Sequence, residues 1–74
     1  MKLIVRKDCP NCEYIVNQLK KLGLLDRIEV VEDDNAEVTP AIEVDGEREP
    51  VMGNIYGLVK IVLYMKKKGL LNHQ

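Results

Sequence analysis

Two cysteines three positions apart, Cys9 and Cys12, are the side chains best suited to chemistry in this chain. A thiolate is the attacking group in disulfide exchange and a ligand for soft metal ions, and a second thiol nearby can resolve a mixed disulfide. Because proline is favoured at the first position of a helix, Pro10 predicts a helix that begins at Cys9 or Pro10. The unpaired N–H groups and the dipole at that end favour negative charge. We therefore predict that Cys9 attacks and that Cys12, one turn along, resolves.

Charged residues directly before the pair would change how easily Cys9 ionises. Arg6 and Lys7 favour the thiolate, whereas Asp8 opposes it. We expect the two cations and the helix end to prevail over the single carboxylate. In an alternative interpretation, Arg6 and Lys7 are ordinary surface charges without a role in the site.

A metal site is the rival interpretation of the cysteine pair. A structural zinc ion takes four protein ligands, and the other soft ligands in the sequence are His73 and three methionines. His73 stands next to the C-terminus, where we expect a solvated tail residue, and dithiol chemistry needs no metal, nucleotide or organic cofactor. The sequence favours redox chemistry. The alternative is a copper or zinc site, or a module that only binds a partner.

The spacing of apolar residues predicts the elements around the cysteines. Residues 3–5 form a short apolar run typical of a buried strand, and residues 27–32 form a second strand. A strand, a helix and a strand in this order make a right-handed parallel unit, with the cysteines at the first strand-to-helix turn. The helix should end near Gly23 and bury one face. That face contains Cys12, Ile15, Val16, Leu19 and Leu22.

The second half of the chain has the pattern of a hairpin followed by a helix. Residues 33–38 are polar and too few for a stable helix, so they are predicted to be a loop. Asp45-Gly46 is a strong turn signal between two strands, and Pro50 places the returning strand at the edge of the sheet. Asn54 can cap a final helix. Its core-facing residues should be Ile55, Leu58, Val59, Val62 and Met65.

The composition predicts one soluble domain that covers residues 1–74. Eleven basic residues nearly balance twelve acidic ones, and three tyrosines are the only aromatic residues, so we expect no nucleic-acid partner. The apolar run at the N-terminus is too short for a signal peptide or a membrane span. We therefore expect a cytoplasmic protein. In that compartment a close cysteine pair is more often catalytic or metal-binding than a structural disulfide.

Two short motifs resemble those of the thioredoxin/glutaredoxin family: the cysteine run at residues 9–12 and the pair Thr39-Pro40 at the start of a later strand. The resemblance implies an α/β chain with a minimal thioredoxin-like fold in β-α-β-β-β-α order. Its mixed four-stranded sheet would carry both helices on one face. The resemblance also implies a cis peptide bond at Pro40, which would lie against the cysteines, and a substrate bound along the backbone of Thr39.

The loop at residues 33–38 decides whether this arrangement is possible. If strand three lies on the far side of strand one from strand two, the loop must cross the C-terminal end of strand one, and six extended residues span about 20 Å, which is ample. Family members usually have a helix in this place. Here one face of the sheet should be less covered, unless a partner or a second copy covers it.

The resemblance also bears on the electron donor. Glutaredoxins hold glutathione with a basic residue three positions before the first cysteine, which is Arg6 here, and with a Gly-Gly pair, of which only Gly53 is present. We expect a thiol–disulfide oxidoreductase that acts on a protein or small-molecule disulfide. Its electron donor would be glutathione or a flavoprotein of the thioredoxin-reductase type. We expect a monomer or a weak dimer that does not bind membranes.

Overall fold

The computed structural model describes residues 1–71, which form a mixed four-stranded sheet and two α-helices. The strands are β1 (Lys2–Val5), β2 (Glu29–Glu32), β3 (Ala41–Val44) and β4 (Glu47–Pro50), and the helices are α1 (Pro10–Lys21) and α2 (Ile55–Lys67). The order across the sheet is β2-β1-β3-β4, with β1 parallel to β2 and antiparallel to β3. The predicted α/β class and mixed sheet are confirmed for the described residues.

Helix α1 begins at Pro10, as its proline predicts, and Gly23 takes a left-handed φ of 71° just after the helix ends. The prediction that Leu22 faces the core is wrong, since 55% of this residue is exposed. Leu22 is already the C-cap of α1, where the chain turns away from the helix axis. Strand β2 also begins two residues later than predicted, because Leu25–Arg27 form a 3₁₀ turn.

The hairpin of β3 and β4 follows its predicted chemistry. Asp45 and Gly46 both have positive φ values, 53° and 82°, which is the conformation of a two-residue type I′ turn. Pro50 lies in β4 opposite Ala41, and β4 is an edge strand, where a residue without an N–H group is tolerated. The carbonyl of Pro40, just before β3, accepts a hydrogen bond from the Val51 N–H at 2.9 Å.

The two helices pack together against one face of the sheet. Leu3 and Ile42 are opposite each other in β1 and β3, and both belong to the main core cluster. The neighbouring pair, Ile4 and Ala41, belongs to a second and smaller cluster, because successive side chains of a strand point to opposite faces. From outside the sheet, the main cluster receives Ile15 and Leu19 of α1, Val51, and Leu58, Ile61 and Met65 of α2.

The second face of the sheet has no helix among the described residues. Ala36, from the loop at residues 33–38, is 7% exposed and packs with Ile4 and Ala41, while Val31 is partly buried against them. The loop therefore covers part of the face that the helices leave open.

Helix α2 buries a different stripe from the predicted one. Ile55 and Val59 were predicted to face the core but are 53% and 49% exposed, whereas Ile61 is fully buried. The helix is apolar on most sides, so spacing alone does not select the buried stripe. Gly57 sets the orientation of α2. A Cβ at this residue would collide with the carbonyl of Met52, so the absence of a side chain lets the helix approach residues 51 and 52 closely.

Side chains of α2 and its C-cap also reach the edge of the sheet. The Tyr64 hydroxyl donates to the Glu49 carboxylate, and Lys60 pairs with Glu49 at 3.2 Å. The hydrogen bond from Tyr64, with help from Lys60, lowers the pKa of Glu49, and the same bond raises the pKa of Tyr64. Lys68 pairs with Asp45 at 2.6 Å and lowers the pKa of that carboxyl. Because these pairs are solvent-exposed, we expect them to orient α2 and add little stability.

Neither helix of residues 1–71 has the length and apolar content that crossing a membrane requires.

The buried stripe of α2 can be tested with two substitutions on the same helix. Ile61→Ala should lower the free energy of unfolding by about 2–4 kcal/mol, because it leaves a cavity in the main core. Leu63→Ala, at a position that is 60% exposed, should change it by about 0.5 kcal/mol or less. Urea unfolding of the oxidised chain measures both values. A larger loss for Leu63→Ala than for Ile61→Ala would contradict the observed packing of α2.

Candidate dithiol site

A disulfide joins Cys9 and Cys12 at the N-terminus of α1, with their Cα atoms 5.2 Å apart. Cys9 is the N-cap of the helix, in an extended conformation with φ −120° and ψ 95°. Its sulfur accepts a hydrogen bond from the N–H group of Cys12 at 3.2 Å. Cys9 therefore satisfies one of the unpaired donors at the helix start, as serine or aspartate does in other helices.

Thr39 lies directly against this sulfur, and Pro40 follows it in the chain. The Thr39-Pro40 peptide bond is cis, in agreement with the prediction, and Pro40 is fully buried. The Thr39 hydroxyl donates to the Cys9 Sγ at 3.5 Å. The Thr39 carbonyl oxygen is 3.8 Å from the same sulfur, which carries no proton in the disulfide and so only contacts the oxygen. The structure thus places Thr39 against Cys9, while the contact of Pro40 itself with the cysteines stays a prediction.

The loop at residues 33–38 delivers Thr39 to this place by crossing the end of β1. The Asp33 N–H donates to the carbonyl of Val5, the last residue of β1, at 2.8 Å. The N–H group of Lys7 donates to the carboxylate of Asp34 at 3.2 Å. These bonds attach the start of the loop to the segment that leads from β1 to Cys9, and the crossing predicted from chain length is confirmed.

Arg6 is attached to the same loop. Its Nη1 donates to the carbonyl of Ala36 at 3.1 Å. The sequence predicts that Arg6 binds substrate or favours the Cys9 thiolate. Neither prediction involves the hydrogen bond from Arg6 to the loop that the structure shows. Asp8, between Lys7 and Cys9, is exposed and has a left-handed φ of 54°.

Gly53 lies on the other side of the motif, against Asn11. A Cβ at Gly53 would overlap the Asn11 side chain, with its Oδ1 only 2.6 Å away. The next residue, Asn54, caps α2 by accepting from the N–H groups of Tyr56 and Gly57. The contact between Gly53 and Asn11 therefore brings the N-terminal ends of α1 and α2 together. Sequence reasoning selected Gly53 but missed Asn11, because nothing in the spacing links the two residues.

A metal-binding group of three or more histidine, cysteine, aspartate or glutamate residues is absent from residues 1–71. His73, predicted to be a solvated tail residue, lies outside the described residues. Within the described part, the cysteine pair is accompanied by hydrogen-bond donors to sulfur: a backbone N–H group and the Thr39 hydroxyl.

The contact between Gly53 and Asn11 gives a prediction. Gly53→Ala should destabilise the oxidised chain by about 1–3 kcal/mol, because the new methyl group overlaps the Asn11 side chain. Asn11→Gly removes that side chain, so the double variant should lose less stability than the sum of the two single variants. Urea unfolding of all four chains measures the coupling. Strictly additive losses would show that the two residues do not meet in solution.

The arrangement is chemically equipped to form and break a disulfide, since it holds two sulfurs in bonding distance and offers donors that stabilise negative charge on one of them. Comparisons of the chain with protein-family models, with curated proteins and with solved structures found no match.

Proposed function

We propose that this chain is a thiol–disulfide oxidoreductase with a minimal thioredoxin-like fold, in which Cys9 is the attacking thiol and Cys12 the resolving thiol. The observation that carries the proposal is the position of the Cys9 sulfur. It lies at the N-terminus of α1, bonded to Cys12, and accepts hydrogen bonds from the Cys12 N–H and the Thr39 hydroxyl. The element order, the sheet order and the cis bond before Pro40 support the proposed fold.

The two cysteines differ in what surrounds them, and this difference supports their separate roles. Hydrogen bonds to a charged acceptor are stronger than those to a neutral one, so the donors at Cys9 stabilise its thiolate more than its thiol. The helix dipole acts in the same direction. Both cysteines are buried in the oxidised chain, Cys9 at 7% and Cys12 at 3% exposed, so their positions on the helix and not their burial separate their roles. Cys9 is the N-cap, whereas Cys12 is one turn inside α1 and is well placed to attack Cys9.

The proposed cycle transfers two electrons. The Cys9 thiolate attacks one sulfur of the substrate disulfide, the substrate S–S bond breaks, and the other substrate sulfur leaves as a thiolate that takes up a proton. Cys12 then loses its proton and attacks the Cys9 sulfur, which releases the second substrate thiolate and closes the Cys9–Cys12 disulfide. An external thiol donor, glutathione or a flavoprotein reductase, must then return two electrons to the pair.

The surface beside the site supports a protein disulfide as substrate. Val38 precedes Thr39 and is 54% exposed, and Met52 precedes Gly53 and is 59% exposed. Two apolar side chains therefore flank the residues that touch the cysteine motif. Exposed apolar surface of this kind suits an extended peptide with apolar side chains next to its cysteine.

Single cysteine substitutions test the proposal. Cys9→Ser should reduce the turnover of a protein disulfide to the uncatalysed rate, because the attacking thiolate is gone. Cys12→Ser should keep the first attack and accumulate a mixed disulfide between Cys9 and the substrate, which mass spectrometry of the intact adduct detects. Reduction of insulin disulfides in the presence of dithiothreitol measures turnover.

Wild-type turnover in either variant would contradict the scheme. Metal analysis of the wild-type chain purified under reducing conditions is the second readout. One copper or zinc ion bound per chain, together with no turnover, would replace the oxidoreductase with a metal-binding module.

A further inference from the structure

We infer that Arg6 is a positioning residue, which holds the loop at residues 33–38 so that the Thr39 hydroxyl stays against the Cys9 sulfur. The inference rests on the proposed function and deepens it, because it assigns the control of the reacting sulfur to a side chain that does not touch it.

The segment that carries Thr39 is attached on both sides of that residue. At Ala36 the carbonyl accepts from the Arg6 guanidinium at 3.1 Å and the N–H group donates to the Asp33 carbonyl at 3.1 Å; beyond Thr39, the carbonyl of Pro40 accepts from the N–H group of Val51 at 2.9 Å. Glu37 and Val38, between these points, are exposed. The position of Thr39 is therefore set by the attachment of the segment at its two ends, one of which is the bond to Arg6.

Arg6 is suited to this task by its place in the chain. It directly follows β1, in which residues 2–4 are paired with strands on both sides, and it precedes Cys9 by three residues. The Ala36 methyl group is buried against Ile4 and Ala41, so the backbone that carries the Ala36 carbonyl is held close to the end of β1. The hydrogen bond from Arg6 therefore attaches the loop to the end of β1, the same strand end from which the chain leads to Cys9.

Arg6 would influence the ionisation of the Cys9 sulfur through the position of the Thr39 hydroxyl. This hydroxyl donates to the Cys9 Sγ at 3.5 Å and should stabilise the thiolate of the reduced pair more than the disulfide. A stabilised thiolate favours the reduced form and makes the pair more oxidising. The other attachments of the loop remain when Arg6 is lost, so the Ala36 carbonyl should loosen without release of the loop. This loosening should weaken the hydrogen bond from Thr39 and make the pair more reducing.

Lys7 provides a matched control. It is also a cation, it is adjacent to Arg6, and its hydrogen bond to the loop is made by its backbone N–H group and not by its side chain. Lys7→Gln therefore removes one charge and keeps the loop contact. Arg6→Gln removes the charge and also shortens the side chain by two bonds, so its amide N–H should no longer reach the Ala36 carbonyl. At 1 M salt the Debye length falls to about 3 Å, so the effect of charge alone is screened while the effect of position remains.

The test is the redox equilibrium of the Cys9–Cys12 pair against dithiothreitol at pH 8.5 and 1 M salt. We expect Arg6→Gln to shift the equilibrium constant toward the disulfide by about threefold or more, which is roughly 14 mV at 29.6 mV per tenfold. Lys7→Gln should shift it by less than about 1.5-fold, since its charge is screened. Arg6→Lys should restore most of the wild-type value, because an ammonium can also donate to the Ala36 carbonyl.

A second arm asks whether Arg6 acts through Thr39. In a Thr39→Val background the hydroxyl is already absent, so Arg6→Gln should cause no further shift beyond that of Lys7→Gln. An equal shift for Arg6→Gln and Lys7→Gln in the wild-type background, or an undiminished Arg6→Gln shift in the Thr39→Val background, would overturn the inference. If Arg6→Gln does not fold, Arg6→Met, which keeps an apolar stem, is held to the same two outcomes.

The two proposals fail in different ways. A wild-type chain without turnover of protein disulfides would remove the proposed function, whatever Arg6 does. A wild-type chain with turnover, in which Arg6→Gln and Lys7→Gln behave alike at 1 M salt, would remove only the role of Arg6.

Discussion

The site depends on one set of contacts: the sulfur of Cys9, the N-cap of α1, accepts hydrogen bonds from a backbone N–H group inside that helix and from a hydroxyl thirty residues away. The first donor is local and follows from the cap position of Cys9. The second requires the tertiary structure, because Thr39 reaches the sulfur only when the chain has crossed the end of β1. The geometry at sulfur is therefore a property of the folded chain as a whole.

The sheet order explains why one loop has two tasks. Because β1 lies between β2 and β3, the chain must pass over the end of β1 to connect its two neighbours. The loop that makes this passage buries Ala36 against the face of the sheet that the helices leave open. The same loop brings the Thr39 hydroxyl to the Cys9 sulfur. One connection therefore contributes both to the packing of the sheet and to the surroundings of the disulfide.

Much of this could be predicted from the sequence, where a local rule applies. Pro10 fixes the start of α1, Asp45-Gly46 fixes the turn, and Pro50 marks an edge strand, because each acts on its own backbone. The stripe that α2 buries could not be predicted, since its apolar residues surround the helix and the contact at Gly57 decides the orientation. The hydrogen bond from Arg6 to Ala36 could not be predicted from the sequence either. Its acceptor is a backbone carbonyl, which every residue carries.

The residues of the candidate site likewise fall into those that the sequence predicts and those that it does not. A cysteine pair at a helix start and a threonine before a proline can be recognised as residue types at a spacing, whereas the packing of Asn11 on Gly53 depends on where two helix ends meet. If the helix end and the Thr39 hydroxyl stabilise the Cys9 thiolate, a pH titration of thiolate absorbance in the fully reduced chain should reveal it. We expect the first thiol to ionise with a midpoint below about 8.5, the ordinary value for cysteine. A first midpoint at or above that value would contradict this stabilisation.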